Sequence, residues 1–350
     1  MDGEAERFER TLEQGMEQFE RLTARHRDRI PGDEAFLLHD TYGFPLELTR
    51  ELADERGIEV DEVGFQDAMA RQRERSRTMT GQRWPNASAL PRSAFEGYAR
   101  TEIDGAQVTG IRRDGSSIER AEEGDEVEVF LDRTPFYGES GGQVGDTGTI
   151  EGTGGRLRVE DTQKPVDGVY AHIGVVTLGG IAVGDRVVAR VDAHRRHATA
   201  RHHSATHLLH KALREVLGEQ TVQRGSWVGP DHTTFDFPLN RGLTSDELTA
   251  VTERVNQQVR AALPFHESLK PYREAVAGGA MHLFEEKYGD VVRVVCFGDW
   301  TCELCGGTHV ESSADVGPVV ITSESSIGSG LRRIDLVAGE AADRLVRERL

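Results

Sequence analysis

Two short runs hold the residues best suited to chemistry: His203-Ser204-Ala205-Thr206-His207 and Cys305-Gly306-Gly307-Thr308-His309. Each sets two nitrogen or sulfur donors four positions apart. On an α-helix, positions i and i+4 share a face, so His203 and His207 can chelate one ion. Cys305 and His309 span a Gly-Gly pair, which allows a tight loop to bring a thiolate and an imidazole to one point. Three imidazoles and one thiolate form a four-ligand set that zinc prefers, and Zn2+ is the expected cofactor. A lone histidine pair carries little weight, because helices acquire such pairs by chance. The second cluster, in a chain whose only cysteines are Cys296, Cys302 and Cys305, changes that. His202 projects about 100° away from His203. His210 belongs to the core, to the surface, or behind the ligands. Cys302 makes a C-x-x-C with Cys305, which reads as a rival zinc pair or as a buried thiol. Four protein ligands usually describe a closed structural zinc, whereas a catalytic ion keeps a position open; spacing alone leaves both readings standing.

These donors need elements to hold them. A helix is predicted from Ala198 to Leu217 with Gly218 at its end. Strands follow near Val222 and at 233–237, then a helix over 245–263. A strand over 291–296 leads into the cysteine run, and further strands are expected at 319–321 and 334–337. Residues 195–339 thus read as one α+β body, and 340–350 as the start of a helix. Upstream, over 94–194, short alternating runs (Val127 to Leu131, Arg156 to Val159, Val187 to Val191) are separated by Gly- and Asp-rich turns, the pattern of a small antiparallel β-barrel. Residues 78–93, with Trp84-Pro85-Asn86 and Leu90-Pro91, read as a linker. Residues 1–77 read as helical: Phe8, Leu12, Met16, Phe19 and Leu22 form one apolar stripe, which Pro31-Gly32 stops. Asp40-Thr41-Tyr42-Gly43-Phe44-Pro45 is expected as a turn, with helices over 46–56 and 62–77 after it. The fold class expected is α+β: a helical N-terminal segment, a small antiparallel β-barrel, then an α+β body with the zinc site.

The 350 residues suffice for about two or three domains. With 37% hydrophobic and 29% charged residues the composition is that of a soluble globular chain. No apolar run approaches the roughly 20 residues that span a bilayer, and the acidic start Met1-Asp2-Gly3-Glu4 has no signal-peptide core. Three clustered cysteines make no disulfide framework and fit a reducing compartment, so a cytoplasmic location is expected. A net charge of −18 argues against a general nucleic-acid or DNA-coating role. It leaves room for a local basic groove, for which His194-Arg195-Arg196-His197, Arg201 and Arg332-Arg333 are the candidates; solvated surface arginine is the plainer reading.

At this point a resemblance becomes specific. Arg201 to His210, Gln223-Arg224-Gly225-Ser226 and Cys305 to His309 resemble the editing domain of alanyl-tRNA synthetases. Phe136-Tyr137-Gly138-Glu139-Ser140-Gly141-Gly142-Gln143, Phe235-Asp236-Phe237 and Gly330-Leu331-Arg332-Arg333-Ile334 resemble the same family. Asp40 to Pro45 is similar to the end of its tRNA-recognition region, so residues 1–77 read as a remnant of that region. The resemblance covers nearly the whole chain and implies an internal segment of the synthetase, without the aminoacylation core and stopping where a C-terminal domain would follow. It implies hydrolysis of the ester of tRNA(Ala) mischarged with serine or glycine, metal ligands His203, His207, Cys305 and His309, and substrate-contacting roles for Thr206 and Gln223. A serine hydroxyl could bond Thr206 or Gln223, whereas alanine would leave those groups unpaired. For Thr206 the plain alternative is a hydroxyl bonded back to the carbonyl four residues earlier; for Gln223 it is surface polarity. Gly141-Gly142-Gln143 is either a barrel turn or a loop near the tRNA 3′ end. Two departures stand out: Thr233-Thr234 where the family often has Leu-Arg, and Cys302. No membrane or DNA partner is implied, and the oligomeric state stays open. Two further readings are a tRNA-binding module with structural zinc and no turnover, and a piece of a ligase that functions only in the full enzyme.

Overall fold

The computed structural model describes residues 16, 19–23, 25–42, 46–62, 64–65, 83–84, 86–281, 289–328 and 330–349. They fall into two compact units, residues 1–83 and 84–350. The first contains β1 (Arg29–Ile30), α1 (Gly32–Tyr42), α2 (Leu46–Asp54) and β2 (Glu59–Val60), with β1 and β2 paired in parallel. Phe19, Leu22, Ile30, Leu38 and Phe65 fill its core. Phe19 and Leu22 of the apolar stripe are therefore inward, while Phe8 and Leu12, the tripeptide Gly43-Phe44-Pro45 and residues 66–77 lie outside the described residues. Helix α1 departs from expectation. Pro31-Gly32 opens a helix, with the Pro31 carbonyl accepting from the Glu34 and Ala35 amides, and Asp33 and Glu34 suit its first turn. Asp40, Thr41 and Tyr42 are its last residues, not a turn.

In the second unit Trp84 is buried and its indole N–H donates to Glu128 at 2.9 Å. The strands are β3 (Ala94–Phe95), β4 (Glu102–Arg113), β5 (Ser116–Ile118), β6 (Arg120–Glu122), β7 (Glu126–Leu131), β8 (Arg133–Thr134), β9 (Gly148–Gly152), β10 (Gly155–Gln163), β11 (Ala171–Ala182) and β12 (Arg186–Val191). Six of them close a ring in the order β4-β7-β11-β10-β9-β12, antiparallel at every step. This is the small antiparallel barrel the alternating runs predict. In β10, Leu157 and Val159 point inward while Arg156 and Arg158 face solvent, the period-two pattern of a strand buried on one face. Ile103, Val129, Ile150, Leu157 and Ile181 pack the interior.

The remainder is an α+β layer. Helix α3 (Ala193–Leu217) starts where the Asp192 carboxylate accepts from the Arg195 amide and stops at Gly218, whose φ of 108° favours glycine. Strands β13 (Gly225–Val228) and β14 (Thr233–Pro238) follow, then α4 (Ser245–Arg260), capped by a reciprocal Thr244–Glu247 box. Next come β15 (Phe265–Pro271), α5 (Tyr272–Ala277), β16 (Val291–Phe297), β17 (Thr301–Leu304), β18 (Val319–Gly328), β19 (Leu331–Ala338) and α6 (Glu340–Arg349). One sheet runs β13-β14-β19-β18 and another β15-β16-β17. Leu208, Leu209 and Leu213 of α3 pack with Val251 and Val255 of α4 against Phe235, Phe237 and Leu336.

The helix start is tied to the barrel through Arg196. Its guanidinium is buried, paired with Asp146, and donates to the carbonyls of Gly97 and Pro135 at 2.8 Å each. Asp146 also accepts from the Tyr137 amide. The basic residues expected at a groove or in solvent are largely committed to protein partners: Arg195 to the Gly145 carbonyl, Arg201 to Asp315 and Glu340, Arg332 to Glu324 and Arg333 to Asp236.

Candidate metal centre

The fold brings the two distant clusters together. His203 and His207 lie one turn apart on α3, their rings nearly parallel at 5.2 Å. Cys305 and His309 come from the loop after β17. One donor atom from each of the four lies within 4.8 Å of every other. Cys305 Sγ is 3.3 Å from His203 Nε2 and accepts from the Gly307 amide at 3.3 Å. Gly307 is required: a Cβ there would sit 2.0 Å from His203 Cε1. Nε2 of His207 and of His309 is buried with no hydrogen-bond partner. Buried polar atoms are normally satisfied, so two orphaned ring nitrogens facing a thiolate are what a metal would explain. A tetrahedral zinc spaces its donors about 3.3–3.8 Å apart, so the donor set fits with small adjustments.

Each ring is oriented from behind. The Glu303 carboxylate can only accept, so His207 Nδ1 donates to Glu303 Oε2 at 2.7 Å and turns the lone pair of Nε2 toward the cluster. His203 Nδ1 lies 2.7 Å from Gln143 Oε1, which also accepts from the Thr308 amide at 2.9 Å, while Gln143 Nε2 donates to Thr308 Oγ1. His309 Nδ1 faces Ser204 Oγ at 3.3 Å, and Ser204 accepts from the Val310 amide. His210 stands behind the ligands, with Nδ1 3.0 Å from Glu303 Oε1. His202 points elsewhere, as its place on the helix requires, and takes the Ala338 amide on Nε2 at 3.1 Å.

Glu303 and Gln143 are the residues sequence reading overlooks in this role. Glu303 carried one usable signal: it lies near the end of β17, two residues before Cys305, and alternation along an extended segment puts such residues on one face. Gln143 had none beyond its glycine turn, because its partners are 60 and 165 residues away.

Burial pushes the Cys305 thiol up, but the imidazoles of His203, His207 and His309 outweigh it and hold the thiol well below its ordinary range. Burial alone would depress His207, yet the charges of Glu303 and Cys305 raise it to about 10. Burial lowers His309 to about 3 against the pull of Cys305. Glu303 is depressed despite its burial, because His207 and His210 face it. A dication would take the place of the proton on His207.

The loop is braced at three successive carbonyls. Arg293 donates to Cys305 O at 3.1 Å and Gly307 O at 2.8 Å, and Tyr98 Oη donates to Gly306 O at 2.5 Å. The Arg293 guanidinium also stacks on the Tyr98 ring at 4.0 Å. His203 and His207 are buried while Cys305 and His309 are partly exposed.

Thr206 and Gln223 are both buried with protein partners. Thr206 Oγ1 is 2.8 Å from the His202 carbonyl, the helix-internal bond four residues back, and 3.0 Å from Thr233 Oγ1. Gln223 Nε2 donates to Ser226 Oγ at 2.9 Å. Thr233, at one departure from the family pattern, is thus in contact with Thr206. Cys302 corrects two expectations. It is neither a rival ligand nor a free thiol, and the cysteines do form one disulfide, Cys296–Cys302. The two stand directly opposite on β16 and β17, and strand alternation turns Cys302 away from the face that carries Glu303. Cys305 remains free.

A closed six-stranded barrel joined to an α+β layer, with a three-histidine, one-cysteine cluster between a helix and a glycine loop, defines a two-part module with a cluster that could hold a metal. The match to known proteins is narrower. Residues 1–195 match the family described as tRNA synthetases class II (A), and residues 292–335 match the threonyl and alanyl tRNA synthetase second additional domain. The chain belongs to the class II tRNA synthetase family of the alanine type. It is 46% identical over 350 residues to the alanine–tRNA ligase of Xanthomonas axonopodis pv. citri (strain 306), covering 98% of this chain and 40% of that protein. It is 46% identical over 349 residues to that of Stenotrophomonas maltophilia (strain K279a), covering 98% and 40%. For Bordetella petrii the figures are 46% over 345 residues, 97% and 39%. The chain therefore spans about 40% of the length of the curated relatives it matches. Among the described residues no helix is long and apolar enough to cross a membrane.

Proposed function

We propose that this chain hydrolyses the ester bond of tRNA(Ala) mischarged with serine or glycine, in the cytoplasm, with zinc held by His203, His207, Cys305 and His309. The observation that carries the reading is the donor cluster itself. Four donors from two distant segments converge, and Nε2 of His207 and of His309 is buried there without a hydrogen-bond partner. The likeness to alanine–tRNA ligases supports the choice of tRNA. When bound, zinc supplies Lewis acidity and a fixed point for the aminoacyl group. Glu303, Gln143 and Ser204 hold the ligands in register, and Arg293 and Tyr98 hold the loop.

Thr206 and Gln223 are assigned to the aminoacyl group. Thr206 Oγ1 donates its hydrogen to His202 O and lies 3.0 Å from Thr233 Oγ1, and a lone pair on it can accept from a serine hydroxyl. Alanine offers no such donor, so the lost bond inside a buried site separates serine from alanine; glycine lacks the hydroxyl too, and this contact does not account for its hydrolysis. The test is deacylation by the purified chain. Ser-tRNA(Ala) should be hydrolysed while Ala-tRNA(Ala) persists, and serine release no faster than that of a Cys305→Ala variant would sink the proposal. A second reading, a tRNA-binding module with structural zinc, is favoured by the closed four-ligand count. It predicts a gel shift with tRNA(Ala) and no turnover.

A further inference from the structure

The two helix ligands are held by unlike groups. His207 leans on a carboxylate and His203 on an amide. Glu303 is 1% exposed, and each of its oxygens is matched to a different imidazole: Oε2 to His207 at 2.7 Å and Oε1 to His210 at 3.0 Å. His210, itself buried beside the Phe235 ring at 5.2 Å, fixes the carboxylate so that its other oxygen stays on His207. Gln143 instead brings a neutral oxygen that the Thr308 amide already shares. An anionic partner behind a ligand imidazole raises its donor strength more than a neutral one does. In a buried setting that difference is enlarged, because the charge is poorly screened.

We infer that Glu303 is the positioning residue that makes His207 the stronger of the two helix ligands, and that His203, backed only by Gln143, is the helix ligand the centre releases more readily. The helix pair then has a built-in weaker position, on the turn that meets Gln143. This gives a closed donor set a physical route to an open place for substrate. The inference rests on the reading of the cluster as a metal centre.

The test measures zinc affinity by chelator competition and the visible spectrum of the cobalt-substituted protein, neither of which depends on turnover. Glu303→Gln should weaken zinc by about 10–100-fold, whereas Gln143→Leu should cost about 3-fold. His203→Ala should still take up cobalt, with an altered spectrum, while His207→Ala should not hold it. Equal or larger losses from Gln143→Leu, or loss of cobalt from both histidine variants alike, would overturn the inference. Should Glu303→Gln fail to fold, imidazole NMR of the zinc-loaded native chain decides. The Nδ1 proton of His207 should lie well downfield of that of His203, and coincident or reversed shifts overturn the ranking. A native chain that binds no zinc at all defeats the metal reading itself, which is a different result from unranked ligands.

Discussion

Inside the barrel, Ile103, Val129, Leu157 and Ile181 meet one another, and backbone needs are met by the strand ladder. Around the candidate metal centre on α3, beside the apolar core of Leu208, Leu209 and Leu213, the buried residues include His203, His207, His210, Glu303 and Gln143, each requiring a partner of its own. The first interior is held by apolar area, which is non-directional and tolerant of exchange. The second is held by directed contacts, where one missing partner leaves a buried polar group exposed to its full desolvation cost. Damage to the barrel should therefore appear as lost stability with the site intact. Damage to the α3 interior should appear first as lost metal.

The largest effect expected is from Gly307→Ala. The added methyl must displace the His203 ring, and zinc affinity should fall by about 100-fold or more, measured by metal analysis after equilibrium dialysis. Retention of one zinc per chain would show that the loop adapts as the barrel core does. Next is Asp146→Ala at the junction of the two regions, which leaves the Arg196 charge buried. Denaturant unfolding should show a loss of about 3–5 kcal/mol; less than 1 would mean that the carbonyls of Gly97 and Pro135 suffice. Leu157→Ala in the barrel should cost about 3 kcal/mol while zinc stoichiometry, measured well below the unfolding midpoint, stays unchanged. A parallel loss of metal would erase the contrast.

The smallest effect concerns His172, a buried polar residue on barrel strand β11. It is fully buried between Thr134 Oγ1 and the Val129 carbonyl, and burial lowers it to about 4. Its folded value lies below the unfolded one, so between pH 6.5 and 4 the unfolded chain binds more protons. Stability is then intact above the unfolded value and falls with pH across that window. The contribution is on the order of 2 kcal/mol. Comparing unfolding free energies at pH 7 and 4.5 in the native chain and in His172→Gln checks it, and identical pH slopes would refute it.

How much of this was legible follows from the same division. Leu157 and Val159 alternate with arginines, so the barrel could be read from local pattern. His203, His207, Cys305 and His309 could be read because ligand chemistry restricts residue type and spacing. Glu303, Gln143 and Ser204 could not, since a Glu, a Gln and a Ser acquire those roles only from neighbours set by tertiary structure. Arg196 misled in the same way: its sequence neighbours are basic, but its contacts are Asp146 and two carbonyls. Helix α1 is not legible from Pro31-Gly32, because the pair reads as a stop for the segment before it, although proline also suits the first turn of a helix.

The bond from Gln143 to His203 has a consequence for how the molecule can be divided. All four candidate metal donors lie after residue 195, where the match to the class II (A) family ends, yet the group that aims the first of them lies within that match. A cut between barrel and layer would keep every ligand and lose their alignment. The seam between two sequence modules runs through the centre, so neither module can drift, be exchanged or be transplanted without retuning the other.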